Sequence, residues 1–242
     1  MPFIVGGDPD FKTSLSVAKE LCSGADLLEI GFPYSDPLAD GPTIQAADMR
    51  ALASGATTTS VFRLIKNIRK FSQTPITVLV YANLVLQRGL DKFYRDASIS
   101  GIDAVLIPDV PLEEIGDFAK AAAKHNIHQI FLITQMTDNA RLKKILKHAH
   151  GFLYLVSVLG TTGARKNFSS DTPKFIKRVR KQTGLPLCVG FGVSTPKQFG
   201  QMVKAGADGV IVGSAIVDVI AENLGRKDMS IKLKRFAAGF KR

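Results

Sequence analysis

Short apolar runs alternate with longer amphipathic segments from one end of this chain to the other. The short runs are rich in Val, Ile and Leu, which is typical of parallel strands that are buried on both faces. The longer segments repeat apolar residues at spacings of three and four, which is typical of helices that pack through one face. We predict strands at residues 3–6, 26–30, 76–80, 104–107, 129–133, 152–157, 186–190 and 209–212, and helices that include 15–21, 61–71, 90–97, 115–123 and 199–205.

Eight strand–helix units in 242 residues fit a closed barrel. A (β/α)₈ TIM barrel of this size is usual, and an open doubly wound sheet stays as the alternative. One helix-to-strand turn occurs three times, as Ser23-Gly-Ala-Asp, Ser100-Gly-Ile-Asp and Ala205-Gly-Ala-Asp, with Gly placed to end the helix. No linker interrupts the pattern, so we predict one TIM-barrel domain over residues 1–242.

Composition narrows the cellular context. No apolar run approaches the roughly twenty residues of a membrane span, and the first residues, Met1-Pro2-Phe3-Ile4-Val5, lack the basic-then-apolar order of a signal peptide. We therefore expect a cytoplasmic protein that does not bind membranes. Cys22 and Cys188 are far apart and have no ligand spacing, which predicts reduced thiols in the core.

The net charge of +11 is unevenly distributed. Residues 1–121 carry 11 Lys/Arg and 15 Asp/Glu, whereas residues 122–242 carry 21 Lys/Arg and 6 Asp/Glu. The basic excess lies mainly in predicted helices at 141–147, 174–181 and 226–242, where charges alternate with apolar residues as on solvated outer faces. No recognition motif accompanies the charge, so we expect no specific nucleic-acid partner.

Three carboxylates, Glu29, Asp36 and Asp40, lie in and just after the second predicted strand. Asp36 and Asp40 stand beside Pro37 and Gly41 and could simply cap turns. That explanation does not suit Glu29, because it lies inside the strand. A buried carboxylate needs a partner, a ligand or a chemical role, so Glu29 and Asp40 are candidate catalytic residues.

Glycine-rich segments follow the last three predicted strands. They contain Gly163, Gly192, Gly213 and Ser214, and the last pair begins a short predicted helix. Tight turning could explain any one glycine. Together they permit close backbone approach, and N–H groups at a helix N-terminus favour a phosphate. We therefore predict that the substrate is a phosphorylated small molecule.

Several classes of reaction can be excluded from the residues that are missing at the predicted strand ends. No predicted strand end carries a Lys that could form a Schiff base, and no dinucleotide fingerprint is present. The four His residues precede the fifth or sixth strand, at the rim opposite the expected site, so no metal site is predicted. What remains is cofactor-free acid–base catalysis by Glu29 and Asp40. The predicted apolar and aromatic walls are Phe3, Leu79, Tyr81, Leu106 and Tyr154.

Residues 31–45 read Gly-Phe-Pro-Tyr-Ser-Asp-Pro-Leu-Ala-Asp-Gly-Pro-Thr-Ile-Gln, which closely resembles the signature of the tryptophan synthase alpha subunit. The resemblance continues through residues 80–85, 108–111, 160–163, 189–193 and 213–217. It implies retro-aldol cleavage of indole-3-glycerol phosphate to indole and glyceraldehyde 3-phosphate. The resemblance implies that Glu29 moves the protons and that Asp40 binds the indole N–H. Tyr154 would hold Glu29 or the glycerol chain. Thr162 and Gly163 would belong to a loop that closes over the site.

The resemblance also implies a partner. Members of this family pass indole to a pyridoxal-phosphate-containing beta subunit in an alpha2beta2 complex, and the alpha chain itself needs no cofactor. The docking rim would include Pro33, Asp36, Asn83 and Pro111. Such chains usually begin with an additional helix, which we expect to be lacking here because the first strand starts at Pro2. The alternatives are a stand-alone lyase that releases free indole and a catalytically idle activator of a synthase.

Overall fold

Eight parallel strands form one sheet in chain order in the computed structural model, which describes residues 1–157, 171–190 and 192–240. All eight predicted strands are confirmed, although the last keeps only two regular residues. The strands are β1 Phe3–Val5, β2 Leu28–Gly31, β3 Ile76–Leu79, β4 Ala104–Leu106, β5 His128–Thr134, β6 Leu153–Val156, β7 Leu187–Gly190 and β8 Gly209–Val210.

The sheet closes between its last and first strands. The Phe3 N–H donates to the Val212 carbonyl at 2.9 Å, and the Val212 N–H donates to the Met1 carbonyl at 2.9 Å. Closure and the sequential strand order exclude the doubly wound sheet, whose strand order reverses in the middle. The fold is therefore the predicted TIM barrel, and the carboxyl ends of all eight strands meet at one rim.

Eleven α-helices lie on the described residues. The predicted helices are present. The sequence analysis missed α2 and α4, because these are extra helices within the loops after β2 and β3 and do not pack on the outside of the sheet through one apolar face. α2 packs against β1 and α10. The helices are α1 Phe11–Cys22, α2 Pro42–Ala53, α3 Thr58–Ile68, α4 Ala82–Arg88, α5 Leu90–Ser100, α6 Gly116–Lys124, α7 Asn139–Leu146, α8 Thr172–Arg180, α9 Pro196–Ala205, α10 Ser214–Ala221 and α11 Met229–Ala238.

The repeated turn behaves as predicted at two of its three positions. Gly101 and Gly206 end α5 and α9 with φ of +91° and +105°, where a side chain would be strained. Gly24 has no such conformation, because α1 ends at Ser23 with ordinary helical angles. These turns lie on the rim opposite the carboxyl ends of the strands and leave the other rim free for longer loops.

Two apolar clusters make up the core. One lies between the sheet and the surrounding helices, and the other lies inside the barrel. The interior cluster includes Phe3, Leu79, Tyr81, Leu106 and Tyr154, so all five predicted wall residues share one environment. Cys22 and Cys188 are free thiols, half-buried and buried respectively. None of the described helices is long and apolar enough to cross a membrane.

Candidate active site

A cavity opens at the carboxyl ends of the strands and contains about 460 Å³ of empty space, including its solvent-facing mouth. It brings together seven of the predicted site residues from β1, β3, β6 and the segments after β2, β7 and β8. The lining consists of Phe3, Asp40, Ile44, Leu79, Tyr154, Gly192, Val193, Ile211, Gly213 and Ser214. One end is aromatic and acidic, and the other consists of glycines at the start of a helix.

Glu29 lies on β2, where it pairs in register with Phe3 on β1. Its side chain is 1% exposed, and neither carboxylate oxygen has a hydrogen-bond partner among the residues that the structure describes. Burial raises the pKa of Glu29 to about 8, and the nearby Asp40 carboxylate adds to the rise. The group is therefore mainly a neutral acid at pH 7. It lies beside the cavity, paired in register with the lining residue Phe3.

Asp40 is held by two side chains, Tyr81 and Gln45. The Tyr81 hydroxyl donates to Asp40 Oδ2 at 2.7 Å and accepts the Ala39 N–H at 3.0 Å. The Gln45 side chain on α2 donates to the Asp40 carbonyl at 2.8 Å. Burial raises the pKa of Asp40, while the Tyr81 hydrogen bond favours the ionised form and opposes that rise. Asp40 is therefore a fixed acceptor at the aromatic end of the cavity.

Tyr154 projects from β6 into the barrel and is 4% exposed. The space that it fills exists because residue 190 on β7 is glycine. A Cβ atom at Gly190 would overlap the ring and hydroxyl of Tyr154. Gly31 has a similar relation to Phe3, because its Cβ would come within 2.8 Å of the Phe3 ring. Two strand glycines therefore determine where the aromatic walls stand.

The other end of the cavity is formed by glycines and the N-terminus of α10. Gly213 precedes α10, and no side chain caps that helix. The first N–H groups of a helix lack intrahelical partners and carry partial positive charge. Gly192 has φ of +76°, a conformation that glycine adopts without strain. The structure thus places Gly192, Gly213 and Ser214 together, as expected for a phosphate site.

Several predicted residues lie elsewhere or outside the described chain. Tyr81 is beside Asp40 instead of in the cavity lining, and Leu106 packs deeper in the barrel. Thr162 and Gly163 lie outside the described residues. Of the four proposed docking residues, Pro33 is buried and presents little surface. Asp36, Asn83 and Pro111 are exposed at the loop rim.

The sequence analysis missed four residues at or near the site. Ile44, Val193 and Ile211 line the cavity, but as single apolar residues they carry no sequence signal of function. Asp48 is a buried carboxylate on α2, and it was missed because α2 was not predicted.

The histidines lie at the opposite rim, as expected from their positions before β5 and β6. His125 contacts the Asp91 carboxylate at 2.9 Å, and the rings of His128 and His150 are 6.4 Å apart. Within the described ranges, no three His, Cys, Asp or Glu side chains are grouped so that they could hold a metal ion.

Comparison with known proteins agrees with this geometry. The family model described as tryptophan synthase alpha chain matches residues 1–242. The chain is 50% identical to the tryptophan synthase alpha chain of Methanoregula boonei, covering 99% of this chain and 91% of that relative. It is 49% identical to that of Methanothermobacter thermautotrophicus, covering 99% and 89%.

Solved structures give the same result. A crystal structure of the tryptophan synthase complex from Pyrococcus furiosus aligns with a TM-score of 0.92 at 34% identity, covering 99% of this chain and 96% of that chain. A structure described as showing the basis of mutual activation in the a2b2 complex of the same organism aligns with a TM-score of 0.93 at 36% identity and the same coverage.

Proposed function

The chain belongs to the tryptophan synthase alpha chain family, and on that premise we propose how its residues carry out the cleavage of indole-3-glycerol phosphate to indole and glyceraldehyde 3-phosphate. The observation that carries the assignment is the orphaned Glu29 carboxyl group beside a cavity whose opposite end is a helix N-terminus. This arrangement supports a reaction in which a proton donor and an anion site lie on opposite sides of one small substrate.

Glu29 moves the proton in both directions. Its neutral form donates a proton to indole C3, which turns that carbon into a leaving group. The resulting carboxylate then removes the proton from the adjacent side-chain hydroxyl. As the carbon–carbon bond breaks, its electron pair returns to the ring and the former carbinol becomes the aldehyde. Glu29 ends the cycle protonated, and a pKa near 8 lets one group serve as acid and then as base at neutral pH.

Asp40 stabilises the charge that this step creates. Protonation at C3 leaves positive charge on the indole nitrogen, and a fixed carboxylate beside the N–H favours that state over the neutral ring. The Tyr81 hydroxyl keeps Asp40 in place. Tyr154 and Phe3 enclose the ring, which excludes water and strengthens the interaction. An assay for indole released from indole-3-glycerol phosphate tests the whole assignment, and a folded chain that releases none would overturn it.

Gly213→Val is expected to weaken substrate binding strongly while the protein stays folded. A Cβ atom at Gly213 would meet Phe3 no closer than 3.6 Å, which is ordinary van der Waals contact. The extra methyl groups would instead occupy the space in front of α10. We expect a higher KM and loss of competitive inhibition by inorganic phosphate, measured in the indole assay.

Gly213→Ala is the matched control, because its single methyl group lies in ordinary contact with Phe3. A small effect for Ala and a large effect for Val would support the phosphate site. If folded Gly213→Val kept the wild-type KM, the phosphate would have to bind elsewhere.

The loop rim is also the surface that we propose for a pyridoxal-phosphate-containing beta subunit. The a2b2 complex from Pyrococcus furiosus is of the same family. On the described residues of this chain, the two most exposed large apolar side chains are Leu38 at 85% and Met136 at 77%, and both lie in loops after strands. Leu38 is two residues from Asp36, and exposed apolar groups are suited to a protein partner. We further propose a cytoplasmic protein that forms one domain over residues 1–242.

Asp36→Ala is expected to reduce activation by the beta subunit while preserving much of the basal rate. Asp36 is exposed, and within the described structure its carboxylate accepts only the neighbouring Ser35 hydroxyl, at 2.6 Å. It lies four residues before Asp40, so fixing the loop by docking would also fix Asp40. Indole production with and without a cognate beta subunit measures the effect. Equal loss without the partner would place Asp36 in the active site, and no activation of the wild type would favour a stand-alone lyase.

A further inference from the structure

Asp109 is an exposed acid at the loop rim that the mechanism above does not use. It lies in the loop after β4, three residues beyond Leu106. Its carboxylate accepts the backbone N–H of Ala82, with Oδ1 at 2.9 Å and Oδ2 at 3.2 Å. Ala82 is the first residue of α4, and the first N–H groups of a helix lack intrahelical partners. The Asp109 carboxylate therefore caps α4 from the loop of the neighbouring strand.

This contact restrains the peptide bond that joins Tyr81 to Ala82. The N–H group of that peptide donates to Asp109, and its carbonyl oxygen accepts the Leu84 N–H at 3.0 Å. Tyr81 itself makes no side-chain cap for α4, because its side chain points to the loop after β2. With both polar groups of the peptide engaged, the direction in which the chain leaves β3 at Tyr81 is restrained.

The side chain of Tyr81 extends this restraint to the acid that faces the indole nitrogen. Its ring is 3% exposed and stacks on Tyr34, with ring centroids 5.0 Å apart. Its hydroxyl accepts the Ala39 N–H at 3.0 Å and donates to Asp40 Oδ2 at 2.7 Å. Burial, followed by the Asp40 carboxylate, raises the pKa of Tyr81, so the phenol stays protonated and remains a donor. Tyr81 therefore connects the loop after β4 with Asp40.

We propose that Asp109 is a positioning residue for the lyase reaction, because it fixes the backbone from which Tyr81 reaches Asp40. The proposal rests on the proposed function, since Asp40 acts in that reaction. Without the Asp109 carboxylate, the Ala82 N–H loses its partner and the first turn of α4 is free to shift. Tyr81 then shifts with it and no longer holds Asp40 in place. A displacement of about 1 Å at a catalytic group is enough to cost much of its contribution.

The experiment compares wild type, Asp109→Asn and Asp109→Ala in the indole assay. Asn keeps an oxygen acceptor for the Ala82 N–H, whereas Ala removes it. We expect Asp109→Asn to stay within a few-fold of wild-type kcat. Asp109→Ala should lose roughly tenfold in kcat with a smaller change in KM, because the phosphate end of the cavity lies on other strands.

Asp10→Ala is the matched control. Asp10 is also an exposed acid at the start of a helix, and its carboxylate accepts the Thr13 N–H of α1 at the same distance of 2.9 Å. Its variant loses an equivalent cap without a connection to Tyr81, so its kcat should equal that of wild type. Urea titrations would show that both Ala variants are folded. An equal loss of kcat in folded Asp10→Ala would overturn the proposal, as would wild-type kcat in Asp109→Ala or equal losses for Asp109→Asn and Asp109→Ala.

A double-mutant cycle shows whether Asp109 acts through the Tyr81 hydroxyl. In Tyr81→Phe the hydrogen bond to Asp40 is already lost, so adding Asp109→Ala should reduce kcat little further. Residues that act through one contact give such non-additive effects, whereas independent sites give additive ones. Additive losses of kcat would therefore overturn the proposal.

A second measurement does not depend on activity. The carbon-13 resonance of the Asp40 carboxyl group, assigned by comparison with Asp40→Asn, reports on the hydrogen bond that Tyr81 donates. Asp109→Ala should shift this resonance in the same direction as Tyr81→Phe, and Asp10→Ala should leave it unchanged. An unchanged resonance in Asp109→Ala would overturn the proposal. If wild type released no indole at all, the proposed function would fail, whereas the resonance would still decide whether Asp109 positions Tyr81.

Discussion

Replacing Glu29 with glutamine is expected to reduce turnover by roughly 10²–10⁴-fold while the substrate still binds. Gln has nearly the same shape but can neither donate a carboxylic proton to indole C3 nor accept one from the hydroxyl. The phosphate site and the aromatic walls lie on other strands and remain unchanged. Single-turnover indole formation, together with competition by inorganic phosphate, separates chemistry from binding.

Asp26→Asn is the matched control, because Asp26 is an exposed acid near the opposite end of the same strand. Its turnover should equal that of wild type. If Glu29→Gln kept about a tenth of wild-type turnover, general acid–base catalysis by Glu29 would be the wrong assignment.

Glu29→Gln should also change how stability depends on pH. In wild type, the unfolded chain releases the Glu29 proton above pH 4.5, whereas the folded chain keeps it until about pH 8. Folding therefore becomes less favourable as pH rises through this window. The variant lacks this contribution, so its free energy of unfolding should fall less between pH 5 and 8. Urea titrations at several pH values would measure the difference and show that the inactive protein is folded.

The second large effect is expected for Asp40→Asn, with turnover reduced by roughly 10²–10³-fold. The amide preserves volume but removes the anion that faces the positive charge on the indole nitrogen. The amide can also present an N–H group to the Tyr81 hydroxyl. In the wild-type structure this hydroxyl donates to Asp40 Oδ2 at 2.7 Å. KM should change less than kcat, because the phosphate contacts are unaffected.

Tyr81→Phe tests whether the effect comes from charge or from positioning. Phe keeps the stacking with Tyr34, whose ring centroid is 5.0 Å away, but loses the hydrogen bond to Asp40. We expect a smaller loss than for Asp40→Asn, because the carboxylate is still present. Equal losses for the two variants would mean that Asp40 has no electrostatic role apart from Tyr81.

The sequence predicted the strands well because a buried parallel strand must be apolar on both faces. It located the ends of the strands, and in a TIM barrel that is enough to bring Glu29, Asp40 and Gly213 to one rim. It could not predict α2, since that helix rests on the loop side and lacks a clear one-sided apolar pattern. Missing α2 meant missing Asp48, whose burial is a property of tertiary packing.

The direction of side chains near the site was the second feature that the sequence could not predict. Tyr81 was expected in the wall of the cavity, but its hydroxyl reaches Asp40 instead. Strand alternation indicates which face a residue occupies, whereas the partner of a long polar side chain depends on loop conformation. The same holds for Pro33, which was expected on the docking surface and is buried.

Gly190 and Tyr154 set a limit on how this barrel can be redesigned. Any side chain at residue 190 would enter the volume of the Tyr154 ring, so a library that varies this position alone should recover glycine. Varying both positions together should recover pairs in which a larger residue on β7 is matched by a smaller one on β6, because the core volume is nearly conserved. Such pairs would move the wall of the pocket from one strand to its neighbour. They offer a route to substrates with a ring system other than indole.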